Sequence, residues 1–242
     1  MTHPMVEKLR DLIQQKQSNL ALSLDVTKKS AFLEIADELG PEICILKSHI
    51  DIIEDFDQDL IIQLRALAKK HQFLLFEDRK FADIGETVKH QFAQGVFRIR
   101  EWADIINAHG ITGPGIIDSL KSVARKDTGL LMLAQLSAKD NLLTSELTQT
   151  ILSFAEKNPD YVMGFIAQQR LNSSHDFIYM TPGVHLDKSG DNLDQQYRTP
   201  EQAIIRDGCD IIIVGRAIYE AENPLEQAKR YKKSGWQALM AR

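Results

Sequence analysis

Cysteine is scarce in this chain. Cys44 and Cys209 are the only two in 242 residues. Both lie in apolar runs without a partner at metal-ligand spacing, so they support neither a zinc site nor a disulfide framework and read as buried, reduced thiols. The seven histidines form no paired ligand pattern. Long apolar runs are missing as well. Met1 to Lys16 lacks the continuous apolar core of a signal peptide, and no stretch is long enough to span a bilayer. The expectation is a soluble, cytoplasmic protein with no membrane partner. Positive charge is also in short supply: 29 Lys and Arg against 34 Asp and Glu leave a formal net charge of -5. That balance argues against nonspecific nucleic-acid binding. An anionic substrate would have to be captured by a local cationic site rather than by the field of the whole protein.

Eight short apolar runs are present, near Leu20–Leu24, Ile43–Leu46, Phe73–Phe76, Ala103–Asn107, Leu130–Ala134, Tyr161–Ala167, Phe177–Met180 and Ile211–Val214. Several show little alternation, as expected of parallel strands covered on both faces. Amphipathic stretches such as Ser30–Leu39, Leu60–Lys70, Thr87–Val96, Ser145–Lys157 and Leu225–Met240 lie between or after them, with a shorter one at Glu201–Arg206. This alternation predicts an α/β fold, a (β/α)8 TIM barrel, with a doubly wound open sheet as the next candidate. No composition shift or low-complexity linker divides the chain, so one domain over residues 1–242 is expected.

The densest chemistry follows the third run, in Phe76-Glu77-Asp78-Arg79-Lys80-Phe81-Ala82-Asp83-Ile84-Gly85. In a regular strand, Asp78 and Lys80 point to the same side. Asp83, five residues beyond Asp78, fits better where the chain turns into the next helix. A solvated charged turn and a shared site explain this stretch equally well. The other strand ends favour a site, because in a barrel they meet at one mouth. Ser23 and Asp25 follow the first strand, Lys47-Ser48-His49 the second, Gln135 and Ser137 the fifth, Thr181-Pro182-Gly183 the seventh and Gly215-Arg216 the eighth. Asp25, Lys47, Asp78 and Lys80 would then form an alternating array in which each desolvated charge is paired.

The last strand-to-helix loop suits a phosphate: Gly215 permits close backbone approach, the helix start offers amides, and Arg216 can bind oxygens bidentately. The preceding loop, Val184 to Pro200, is long enough to act as a lid, and its Gln195, Gln196 and Tyr197 can reach the same phosphate as neutral donors. Phe81 reads as a packing residue.

Two segments are specific enough to carry a family resemblance: Leu74-Leu75-Phe76-Glu77-Asp78-Arg79-Lys80-Phe81-Ala82-Asp83-Ile84-Gly85, and Glu101-Trp102-Ala103-Asp104-Ile105 with Asn107-Ala108-His109-Gly110. The chain resembles orotidine 5′-phosphate decarboxylase, the last enzyme of pyrimidine nucleotide synthesis, over nearly its whole length. It is most similar to the eukaryotic branch, here free of a fused phosphoribosyltransferase. The resemblance implies a cofactor-free, metal-free barrel homodimer with sites at the subunit interface and orotidine 5′-monophosphate as substrate. Lys80 would donate the proton to the carbon that loses carbon dioxide. Asp78 would lie beside the departing carboxylate, and Lys47 would hold the array and contact the ribose. Asp83, Ile84 and Thr87 would join the substrate site, with Asp83 and Thr87 supplied by the partner subunit. Ser23, Asp25 and His49 would serve the ribose side, Ser137 the pyrimidine amide, Pro182 the ring, and Gln195, Tyr197, Gly215 and Arg216 the phosphate. Glu86, Asp194 and Ala217 depart from the family's usual asparagine and two glycines. The rival readings are a metal-dependent sugar-phosphate lyase, such as a hexulose-phosphate synthase, and a nucleotide-binding protein without turnover.

Overall fold

The structure, a computed structural model, describes residues 2–138, 140–172, 176–186 and 198–242. It opens with a helix, α1 (Pro4–Lys16), in a stretch whose sequence stands out only for its lack of a signal core. The His3 side chain accepts from the Met5 amide, Pro4 occupies the first turn, and the chain leaves the helix at Gln17 in a left-handed conformation. Its apolar stripe of Met5, Val6, Leu9 and Ile13 packs with inward residues such as Ala21, Ile45, Leu74 and Leu131. Met5 reaches Gly129 at the start of the fifth strand. The N-terminal end of the barrel is therefore stopped by a helix, and chemistry is left to the other end.

The units that follow are β1 (Leu20–Leu24), α2 (Lys29–Leu39), β2 (Ile45–Ser48), α3 (Gln58–His71), β3 (Leu74–Phe81), α4 (Gly85–Ala93), α5 (Ile99–Trp102), β4 (Ile105–His109) and α6 (Gly115–Val123). Next come β5 (Gly129–Leu133), α7 (Ser145–Glu156), β6 (Val162–Ile166), β7 (Ile178–Thr181), β8 (Ile211–Val214), α8 (Arg216–Tyr219) and α9 (Pro224–Ala241). The eight strands pair in sequence order, all parallel, and β1 closes on β8 through Leu22 and Val214. This is the expected TIM barrel, not the open sheet. Leu20, Leu22, Leu46 and Leu75 face the helices, while Ala21, Ile45, Leu74 and Phe76 face inward. Both sides of each strand are thus covered, which accounts for the unalternated runs.

Two strands run further toward the C-terminal mouth than their apolar runs suggest. β2 starts later and includes Lys47 and Ser48, and β3 continues through the charged residues to Phe81. Pairing and counter-charge let polar residues occupy strand positions that hydropathy alone assigns to loops. Gly85, at φ +53, supplies the left-handed turn from β3 into α4.

Candidate active site

Alternation along the strands sorts the mouth residues. Lys47 in β2 and Asp78 in β3 point inward above Ile45 and Phe76. Ser48 and Glu77, adjacent in the β2–β3 register, point outward. Lys47 is almost fully buried, with Nζ 2.9 Å from Asp78 Oδ2, 3.7 Å from Asp25 Oδ1 and 2.8 Å from His49 Nε2. Lys80 Nζ lies 2.7 Å from Asp78 Oδ1. His49 Nε2 is 3.3 Å from Asp78 Oδ2, and Ser23 Oγ donates to Asp25 at 3.1 Å. The four charges expected to alternate therefore do so: Asp25, Lys47, Asp78, Lys80.

The reason Lys80 joins the array differs from the one expected. A regular strand would place Asp78 and Lys80 on one side by alternation, but β3 is not regular there. Glu77 pairs with Ile106 and Phe81 with Ala108, so three residues of β3 face the single residue Asn107 of β4. Lys80 sits at φ +50 within this bulge. Its amide donates to Asn107 Oδ1 at 2.7 Å, and Asn107 Nδ2 donates to Asp78 Oδ1 at 2.6 Å. Asn107 is not among the residues that the sequence points to as a site. As a neutral amide it adds no charge signal, although its inward phase can be read from Ile105 two positions earlier. Phe81 returns to the outer layer and packs edge-on against Phe92, as expected.

Burial alone would raise the Asp78 carboxyl. Lys47, then a hydrogen bond from His49 and the charge of Lys80, outweigh it and hold Asp78 far below the usual carboxylate range. Glu77, next to it on the outer face, goes the other way. Burial pushes it up to about 8, against weaker help from the Ser48 hydroxyl and the Ile50 amide. Ser48 Oγ donates to Glu77 Oε2 at 2.7 Å and the Ile50 amide to Oε1 at 3.0 Å, so Glu77 fastens the turn that carries His49.

The array forms one wall of a cavity of about 750 Å³, which is also lined by Ser23, Gln135, Ser137, Pro182, Gly215 and Arg216. A Cβ on Gly215 would stand 3.0 Å from the Ser23 carbonyl oxygen, so a glycine lets the chain after β8 close against β1 beside Arg216. The long loop after β7 leaves and returns through a bridge between Val184 and Arg198. The Arg198 guanidinium ties that stem to Thr181 and Asp207. Gln195, Tyr197 and Asp194 lie outside the described residues.

Four expected residues do not line their own chain's cavity: His49, which meets the array through Lys47 and Asp78, and Asp83, Ile84 and Thr87. Asp83 accepts from the Ile84 amide at 2.8 Å and from Gln91 at 3.1 Å instead of meeting Lys80. Ile84 is 65% exposed, and Thr87 is exposed on the same turn into α4. Glu86 pairs with Lys89 at the surface. Among the described residues, no group of three or more His, Cys, Asp or Glu side chains is placed to hold a metal ion. No helix among them is long and apolar enough to cross a membrane.

The chain is similar in sequence and in fold to known proteins. Residues 18–231 match the model of the orotidine 5′-phosphate decarboxylase / HUMPS family. The chain is 51% identical to the orotidine 5′-phosphate decarboxylase of Schizosaccharomyces pombe, covering 100% of this chain and 93% of that one. It is 54% identical to the enzyme of the same name from Rhizomucor pusillus, covering 99% and 94%. In fold it is similar to the crystal structure of orotidine 5′-monophosphate decarboxylase from Methanocaldococcus jannaschii complexed with the inhibitor BMP. That likeness has a TM-score of 0.69 and 22% identity, and covers 90% of this chain and 98% of that one. With a closed barrel, an Asp–Lys array at its C-terminal mouth and full-length fungal relatives, the chain belongs to the orotidine 5′-phosphate decarboxylase / HUMPS family.

Proposed function

We propose that this protein is a carboxy-lyase that converts orotidine 5′-monophosphate to uridine 5′-monophosphate and carbon dioxide, the final step of de novo UMP synthesis, without a cofactor. The observation that carries this reading within the family is the position of Lys47. Its ammonium lies between Asp25 and Asp78, where a metal-dependent sugar-phosphate lyase would need a strand-two acid, and a fixed cation there disfavours a divalent ion. The named activity of the fungal relatives points the same way.

In this reading the bond between the ring carbon and its carboxylate breaks, carbon dioxide leaves, and the electron pair stays on the ring carbon. No adjacent carbonyl delocalises that pair. The Lys80 ammonium stabilises it as it forms and then transfers a proton to it, and Lys80 regains its proton from water. Asp78, Lys47 and Asn107 fix the ammonium before the reaction, so the charge needs no rearrangement at the transition state. Ser137 and Pro182 hold the ring, Ser23, Asp25 and His49 the ribose side, and Gly215, Arg216, Gln195 and Tyr197 the phosphate. Binding energy from the remote phosphate is then spent on the reacting centre.

The active form is a cytoplasmic homodimer with shared sites. Asp83, Ile84 and Thr87 face away from their own cavity. Exposed Ile84, Val96 and Ile111 lie on the loops around β3 and β4 and give that side an apolar surface for a second copy. The test follows the ultraviolet absorbance of orotidine 5′-monophosphate in metal-free buffer with chelator. Wild type should convert it, and Lys80→Ala should lose at least about a thousandfold in kcat. Folded wild type that leaves orotidine 5′-monophosphate unconverted, yet turns over a sugar phosphate once a divalent metal is added, would replace this reading with sugar-phosphate chemistry.

A further inference from the structure

We infer that Asn107 is a positioning residue that fixes both ends of Lys80. The inference rests on the decarboxylase reading for its catalytic consequence but not for its geometry. A left-handed backbone is disfavoured for a residue with a Cβ, so Lys80 at φ +50 needs something to hold it there. The bulge leaves Asp78, Arg79 and Lys80 facing Asn107 alone, and the Lys80 amide finds its acceptor in the Asn107 side chain.

The contacts close a ring. The Lys80 amide donates to Asn107 Oδ1, Asn107 Nδ2 donates to Asp78 Oδ1, and the same oxygen is 2.7 Å from Lys80 Nζ. Each link runs in one direction only. An amide N–H cannot accept and an ionised carboxylate cannot donate, so the Asn107 amide has a single productive orientation. Asn107 is fully buried, which leaves no water to take over either bond. One side chain thus sets the backbone from which the ammonium springs and orients the carboxylate on which it rests. No other standard side chain of this length offers, in its usual form at neutral pH, a donor and an acceptor on one planar group. Aspartate would keep the bond to the Lys80 amide and set a second anion against Asp78. Leucine would fill the space and make neither bond.

The test compares wild type with Asn107→Leu and Asn107→Asp in three measurements: turnover of orotidine 5′-monophosphate, affinity for uridine 5′-monophosphate, and amide hydrogen exchange at Lys80. Asn107→Leu leaves the buried Lys80 amide unpaired and should unfold at a lower temperature, yet stay folded under assay conditions, bind uridine 5′-monophosphate within about threefold of wild type and lose about a hundredfold in kcat. Its Lys80 amide should exchange at least about tenfold faster while the Leu75 amide is unchanged. Asn107→Asp should lose at least as much in kcat. A kcat within about threefold of wild type in Asn107→Leu, or an unchanged Lys80 exchange rate, overturns the inference. A fall in kcat matched by an equal loss in nucleotide affinity also overturns it, because that is general damage to the site. Wild type without turnover would sink the decarboxylase reading, and the exchange rates alone would then decide whether Asn107 pins Lys80.

Discussion

The inner and outer faces of β3 carry consecutive carboxylates with opposite fates. Asp78 and Glu77 are both buried, but Asp78 is held far below the ordinary carboxylate range while Glu77 is pushed up to about 8. Burial acts on both in the same direction, so the partners decide the difference. On the inner face, Lys47, Lys80 and Asn107 surround Asp78. On the outer face, Glu77 meets a hydroxyl and a backbone amide, both neutral, while the like charge of Asp51 raises it and a weaker influence from Lys47 lowers it. The inner face is arranged to keep charge desolvated and aimed into a cavity. The outer face uses a carboxyl as a structural clasp, which works in either protonation state.

Lys47→Met is expected to break this contrast most strongly. It removes the largest favourable influence on Asp78 and leaves a buried carboxylate with less compensation, at a cost of about 3–5 kcal/mol. Urea unfolding at neutral pH measures the loss. The pH dependence should change with it. A carboxyl with a depressed folded pKa adds stability above its unfolded value, near about 3.9, and loses it as pH falls. The acid limb of the stability curve should therefore be shallower in Lys47→Met than in wild type. An equally steep limb would mean that Lys80 and His49 alone hold Asp78 down.

The same contrast explains what is legible without the structure. The barrel is legible because eight apolar runs separated by amphipathic stretches leave few topologies, and Asp25, Lys47, Asp78 and Lys80 are legible because charge at strand ends is conspicuous. Asn107 carries no charge and completes the array only through a bulge, which alternation cannot anticipate. Helix α1 escapes the sequence because its apolar stripe has meaning only once a barrel end exists for it to cover. Family resemblance puts Asp83, Ile84 and Thr87 at the site, and within one chain they turn away from it. Glu77 and Asp78 look alike in the sequence. Only the register against Ser48 shows that Glu77 faces the helices.

Glu77→Gln should produce a smaller effect of opposite sign. Glu77 has a folded pKa raised from 4.5 to about 8, so the folded state holds a proton that the unfolded chain has lost over that window. Stability must then fall as pH rises through it. Glutamine resembles the protonated acid: it accepts from the Ile50 amide and donates to Ser48 without charge. The variant should match wild type near pH 4.5 and exceed it by up to a few kcal/mol near pH 8, gaining at most about 1.4 kcal/mol for each step of one in pH. Thermal unfolding across that range is the measurement. Equal pH slopes would mean that Glu77 titrates at an ordinary value despite its burial.

Ser48→Ala should give the smallest change and the finest resolution. The hydroxyl favours the ionised form of Glu77, so deleting it should raise the Glu77 pKa further and extend the fall in stability to higher pH. At low pH, where Glu77 is protonated in both proteins, the loss should be about 1 kcal/mol, one neutral hydrogen bond. The difference should widen as pH rises, because the variant leaves more of the ionised carboxylate without a donor. The Asp78 side of the strand should not respond: the acid limb below about pH 4 should keep its wild-type slope, since Ser48 points away from the array. A changed acid limb would show that the two faces of β3 are coupled through the backbone, and would extend the outer clasp's role to setting the inner charge array.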